Sequence, residues 1–199
     1  MNWNGCWDYK LIFVAEIKIY ILRSKAFGIG GFMTHSKEET AIMAKYENSI
    51  DPEVLEFVKG VLNGEDRLNY ITVAFMPDSA AAQIEKLTGK KVEGSRIVLD
   101  INAIKHIENR HGENGKQDHS MRNVEDIARM GYVIMNYDDI SYDGITTTGF
   151  LDEEGKASPM VRIAKRIDGT YYVIEAVNSS KKKRNYVVTA YIQQNKKEQ

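Results

Sequence analysis

The apolar residues of this chain change their spacing part-way along, and that change limits its fold more than any other feature. Before about residue 130 most segments carry helix signals, with apolar residues three to four positions apart on one face, and short strand-like runs come between them. Beyond that point short apolar runs alternate with turn-forming residues, as in strands. N-terminal helices followed by a four- to five-stranded antiparallel sheet make an α+β architecture.

The individual signals place these elements. Ser36 and Glu39 form a capping box for a helix over 36–46. Asp51 and Pro52 open a second helix, which Asn63 and Gly64 close. A strand follows over 69–76. Asp78 and Ser79 then cap a third helix, which ends at Gly89. Residues 96–101 read as a short strand, 102–111 as a helix stopped by Gly112, 112–121 as a polar loop, and 122–130 as a helix stopped by Gly131. Strand-like runs occupy 132–136, 145–150, 159–167, 170–178 and 185–193. Asp168-Gly169 is a hairpin turn signal of type I′.

Residues 1–35 read as an N-terminal extension, either not native or poorly ordered. Met33 makes a natural start, and Gly28-Ile29-Gly30-Gly31 before it looks like a linker. The apolar stretch at 11–22 is 12 residues long and carries Glu16 and Lys18. Crossing a bilayer takes roughly 20 apolar residues, so this stretch reads as a strand. Residues 36–67 then form a helical segment and 68–195 the main domain. A single cysteine, Cys6, excludes an internal disulfide and favours folding in a reducing compartment. The net charge of -1 demands no polyanionic partner, yet Lys181-Lys182-Lys183-Arg184 can still give a neutral protein one positive patch.

Three of the four histidines, His106, His111 and His119, fall within 14 residues. On a helix, His106, Asn109 and Arg110 share one face, while Ile104, Ile107 and His111 share another that packs on the sheet. Histidine exchanges protons near neutral pH, and arginine clamps phosphate with two parallel hydrogen bonds. A metal site is the competing reading. His106, His111, His119 and Asp118 are zinc-type ligands, but the spacing lacks the i, i+4 histidine pair of a helical zinc site, and Glu108 does not fall in that order.

The last strand adds two hydroxyls. With a period of two, Val187, Thr189 and Tyr191 point one way, and Tyr186, Val188, Ala190 and Ile192 form the core face. Glu175, an acid within an apolar strand, is either a general base or a solvent-facing residue.

Taken together, Lys105-His106-Ile107 with Arg110-His111-Gly112 on a helix, His119-Ser120 in the loop after it, and a closing hairpin with Glu175-Ala176-Val177, the lysine run and Val187-Val188-Thr189-Ala190-Tyr191 resemble the phage-type barnase/EndoU/colicin/RelE-like (BECR-fold) nucleases. These domains occur in prophage proteins and at the C-termini of polymorphic toxins. The likeness spans about 68–193. It implies a metal-independent endoribonuclease without cofactor, with His106, Arg110, His111, Thr189 and Tyr191 at the site. His119, Ser120, Lys183 and Glu175 are less secure members, and Lys181, Lys182 and Arg184 are RNA-binding. Its implied partners are RNA, with tRNA one candidate, and a cognate immunity or inhibitor protein, with no membrane. The implied site of action is cytoplasmic, with export or phage delivery open. The alternatives are a non-catalytic RNA- or partner-binding module on the same fold, and a metal-dependent hydrolase using His106, His111 and His119.

Overall fold

The computed structural model describes residues 49–65, 68–146, 149–151, 155–167, 169–177 and 183–194. The expectations for 1–48, including the strand at 11–22 and the helix at 36–46, lie outside those residues, as do Asp168, Lys181 and Lys182.

Helix α1, Pro52–Leu62, begins where Asp51 accepts hydrogen bonds from the Glu53 and Val54 amides at 2.9 and 3.2 Å. Its buried face is Val54, Val58 and Val61. Strand β1, Tyr70–Phe75, leads into helix α2, Asp78–Thr88. Pro77 holds the capping position there without a side-chain cap, so the helix starts at Asp78 itself. Gly89, at φ 71°, ends it in the left-handed conformation. Strand β2, Arg96–Asp100, passes directly into helix α3, Ile101–His111, because Asp100 also caps that helix, accepting from the Ala103 amide at 2.8 Å. Ala103, Ile104, Ile107 and His111 form its buried face. Burying a large aliphatic side chain such as Ile104 or Ile107 contributes about 1.5–3 kcal/mol.

The next segment differs from the sequence expectation. The helix expected over 122–130 is α4, Val124–Ala128, and a turn at Arg129 separates it from a second helix, α5, Met130–Met135. The strand expected at 132–136 is therefore helical. Met130, Val133 and Ile134 are its buried residues, a helical spacing hidden inside a continuous apolar run. Gly131 does not stop a helix. A Cβ at this position would run into the Val73 carbonyl, so glycine lets α5 lie flat on β1. Arg129 bridges the region, pairing with buried Asp126 and donating to the Ser49 hydroxyl at 3.2 Å. Burial pushes the Asp126 carboxyl up from its ordinary pKa, and Arg129 opposes that shift.

The remaining strands are β3, Asp139–Ile145, β4, Pro159–Arg166, β5, Thr170–Ala176, and β6, Arg184–Gln193. β3 lies upstream of the expected 145–150. As an edge strand with Ile140 its only fully buried residue, it is too polar to stand out by hydropathy. β4 and β5 form the expected hairpin, with Gly169 at φ 136°.

Among the described residues the sheet has six strands in the order β1-β2-β6-β5-β4-β3, and it is mixed rather than antiparallel. β3 to β6 form an antiparallel meander, and β1 pairs antiparallel with β2. The join between β2 and β6 is parallel, over Arg96↔Arg184 to Val98↔Tyr186. α1 to α5 contribute to one hydrophobic cluster with Ile97, Leu99, Val161, Ile163, Tyr171, Val173, Val187 and Ala190, so that face of the sheet is covered by helices. No helix among the described residues is long and apolar enough to cross a membrane.

Candidate active site

The β2–β6 pairing ends at Tyr186, but β6 continues to Gln193. Along this stretch β6 pairs with β5 on one side only. On its other side the Ile192 N–H donates to the Ser120 hydroxyl at 3.1 Å, so the loop after α3 closes the edge that β2 leaves open.

That loop is folded onto the helix end. The Lys116 amide donates to the Asn109 carbonyl at 3.0 Å, Gln117 and Asp118 to Arg110 at 3.0 and 3.2 Å, and Met121 to His111 at 2.8 Å. These bonds satisfy carbonyls that a helix C-terminus otherwise leaves without partners. They also swing Asp118 back over His111, whose Nδ1–H donates to Asp118 Oδ2 at 2.9 Å. The Ser120 amide donates to the other carboxylate oxygen at 2.9 Å.

Desolvation works to raise the Asp118 pKa. Hydrogen bonds from the Ser120 hydroxyl and amide and from His111 outweigh it, and the carboxyl is held below its ordinary value. An ionised carboxylate only accepts hydrogen bonds, so the proton between the pair sits on His111 Nδ1. The ring of His111 stacks on Tyr191, with centroids 5.4 Å apart and planes inclined by 27°.

β6 contains an irregularity that sets the other wall. Ile174 pairs with Thr189 but Glu175 pairs with Val187, so Val188 is an extra residue in β6. A bulge of this kind reverses the alternation of side chains. Val187 and Ala190 both enter the core, while Thr189 and Tyr191 point to the opposite face. The expected grouping of Val187 with Thr189 and Tyr191 is corrected accordingly, and Tyr186 and Val188 are half-exposed rather than core.

His106, Arg110, His111, Gln117, Asp118, Thr189 and Tyr191 line one open cleft of about 560 Å³. Arg110 is exposed and His106 half-buried. The His106 pKa is lowered by burial, then by the positive charges of Arg110 and His111. Burial raises that of Tyr191, so its hydroxyl remains a donor at neutral pH. The Thr189 hydroxyl is buried and has no hydrogen-bond partner among the described residues.

A family model described as phage-Barnase-EndoU-ColicinE5/D-RelE like nuclease3 matches residues 77–199, well over half of the chain. The chain belongs to this nuclease family. The match takes in every strand from β2 to β6 and every residue of the cleft. No curated protein and no solved structure matches the chain.

The other sequence candidates of this nuclease domain lie apart from the cleft lining. Ser120 supports it from behind through Asp118 and Ile192. His119 is exposed, with Nδ1 3.4 Å from the Gly112 carbonyl oxygen. Among the described residues no three His, Cys, Asp or Glu side chains group as metal ligands would. Glu175 is fully buried beside Val161 and Val187, on the face opposite Thr189 and Tyr191. Burial pushes its pKa up to about 8, and the Asn185 side chain pulls it down. Lys183 sits at the start of β6, where its carbonyl accepts from Arg96, and Arg184 lies 4.7 Å from the Tyr70 ring centroid. No sequence motif marks Gln117 in the lining, and the residue types around Asp118 suggest a metal ligand rather than a partner for His111. The spacing Asp118-x-Ser120, which closes a short turn through the Asp118 side chain, was the available signal.

Proposed function

We propose that this nuclease is a metal-independent endoribonuclease that uses the 2′-hydroxyl of its substrate as nucleophile. The observation that carries the proposal is that His111, oriented by Asp118, faces the same cleft as His106 and Arg110.

His106, kept neutral by burial and by its cationic neighbours, takes the 2′-hydroxyl proton as the 2′-oxygen attacks phosphorus. His111 in its doubly protonated form gives a proton to the 5′-oxygen as the phosphorus–oxygen bond breaks. Asp118 offsets the imidazolium charge and fixes the ring. Arg110 neutralises the extra negative charge on the phosphorane-like transition state. The Tyr191 hydroxyl donates to a phosphate oxygen, and Thr189 forms part of the cleft wall beside it. The products are a 2′,3′-cyclic phosphate and a free 5′-hydroxyl, and DNA, without the nucleophile, is spared.

The family description names phages and colicins, which supports a phage-associated or toxin-type effector. Such an effector acts on cytoplasmic RNA and is restrained by a cognate immunity protein. Incubation with total RNA or tRNA in excess EDTA tests the reaction. Fragments ending in 2′,3′-cyclic phosphate are expected. Cleavage that returns only when a divalent metal is restored would sink the metal-independent mechanism, and salt-dependent RNA binding without turnover would favour a binding module.

A further inference from the structure

The sheet face that holds Thr189 and Tyr191 carries a row of flat groups leading away from the cleft. Tyr172 on β5 stands opposite Tyr191 in register, and their ring centroids are 5.1 Å apart. Arg162 on β4 shares that face, and its guanidinium carbon lies 5.5 Å from the Tyr172 centroid. The row His111, Tyr191, Tyr172, Arg162 thus starts at the candidate catalytic histidine and crosses three strands without a gap.

These groups do not belong to the core. Tyr172 and Tyr191 are half-buried, and the Arg162 side chain is 37% exposed. Nor is Arg162 simply a loose surface charge. Tyr142 pairs with Val161 and Gly144 with Met160, which makes Asp143 the extra residue of a bulge in β3, and Asp143 ion-pairs with Arg162. The pair holds the guanidinium plane beside Tyr172 and offsets its charge. What remains is a planar, polarisable surface more than an anchor for phosphate.

We propose that Tyr172 and Arg162 form a stacking subsite for one unpaired nucleobase of single-stranded RNA, next to the phosphate held in the cleft. Aromatic rings and guanidinium planes are the surfaces on which proteins stack splayed-out bases, and this works for any base because each has a π face. In a duplex those faces are covered by neighbouring bases. The subsite therefore selects loops and single strands and tolerates varied sequence. The inference rests on the ribonuclease reading for the identity of the polymer, so the two are tested by separate measurements.

Binding of the full chain to a single-stranded 2′-fluoro oligoribonucleotide, which lacks the nucleophile, is measured with an abasic nucleotide moved stepwise along the strand. Wild type is expected to lose about five- to a hundredfold in affinity at one position of that scan. Tyr172→Leu is expected to bind the intact strand weakly and to show no further loss at that position, whereas Tyr172→Phe restores the abasic penalty. Arg162→Met gives a second reading on the same scan and is expected to shrink the penalty. Additive effects of Tyr172→Leu and the abasic nucleotide, or affinity that follows salt but no base, would overturn the subsite in favour of a plain phosphate contact. Unmodified RNA in EDTA is assayed in parallel. If the scan behaves as expected but RNA is not cut, the ribonuclease reading fails and the subsite stands; if RNA is cut and no position is sensitive, the subsite alone fails.

Discussion

Asp118 Oδ2 lies 2.9 Å from His111 Nδ1, and the loop bonds that put it there come from the backbone of the same helix end. The carboxylate is 46% exposed, so the contact is of little use to stability and of much use to ring orientation. Asp118→Asn keeps the side chain's shape while removing the charge that offsets a protonated His111. We expect kcat for RNA cleavage to fall on the order of a hundredfold with little change in KM or thermal stability. A loss confined to KM would assign Asp118 to substrate binding instead.

His106→Ala and His111→Ala should each lower cleavage in EDTA by at least about a hundredfold while leaving the circular-dichroism spectrum unchanged. The pH profile separates their roles. A base works only when neutral, and burial with two cationic neighbours lowers the His106 pKa from its usual 6.5. The acid limb of kcat/KM should therefore fall below pH 6.5, and an acid limb above that value would contradict His106 as the base.

Glu175 lies on the core face of β5, on the side of the sheet away from the cleft, so its effect is expected in stability. Its carboxyl pKa is pushed up by burial to about 8 in the folded chain, against 4.5 when solvated. Between those values the folded state holds a proton that the unfolded state has released, so stability falls as pH rises through the window. The slope is about 1.4 kcal/mol per pH unit. Glu175→Gln cannot ionise. Chemical denaturation should find the variant and wild type similar near the acid end of that window, and the variant clearly more stable near pH 8. Equal pH slopes would show that Glu175 is not the group that titrates.

Much of the site was legible because it lies on one helix. Ile104, Ile107 and His111 fix the buried face of α3 by spacing alone, and His106 and Arg110 then follow on the open side. A period of two puts Thr189 and Tyr191 on one face, as the structure has them, but it also puts Val187 there because it cannot register the extra residue at Val188. The parallel pairing of β2 with β6 is a long-range contact that no local pattern encodes. Met130 to Met135 misled for a different reason. An apolar run of that length serves a helix or a strand equally well, and the close approach of Gly131 to the Val73 carbonyl is a tertiary contact that the local pattern does not register. Tyr172 and Arg162 became neighbours only once the strands had a register.

Gly115 offers a test of the loop as a positioning device. A Cβ there would stand 2.5 Å from the Arg110 carbonyl oxygen and 2.6 Å from that of Asp118, both backbone atoms that cannot rotate aside. Gly115→Ala must therefore push the loop away from the helix end, at a cost of about 1–3 kcal/mol. The displacement acts at the two places that present Asp118 to His111, so cleavage should fall along with stability, chiefly in kcat. Combining Gly115→Ala with Asp118→Asn separates position from folding. If the loop acts through the Asp118–His111 bond, the double variant should be little slower than Asp118→Asn alone, because the second change removes a contact already lost. Fully multiplicative losses would mean that the loop serves the cleft by another route, with Gln117 the next residue to examine.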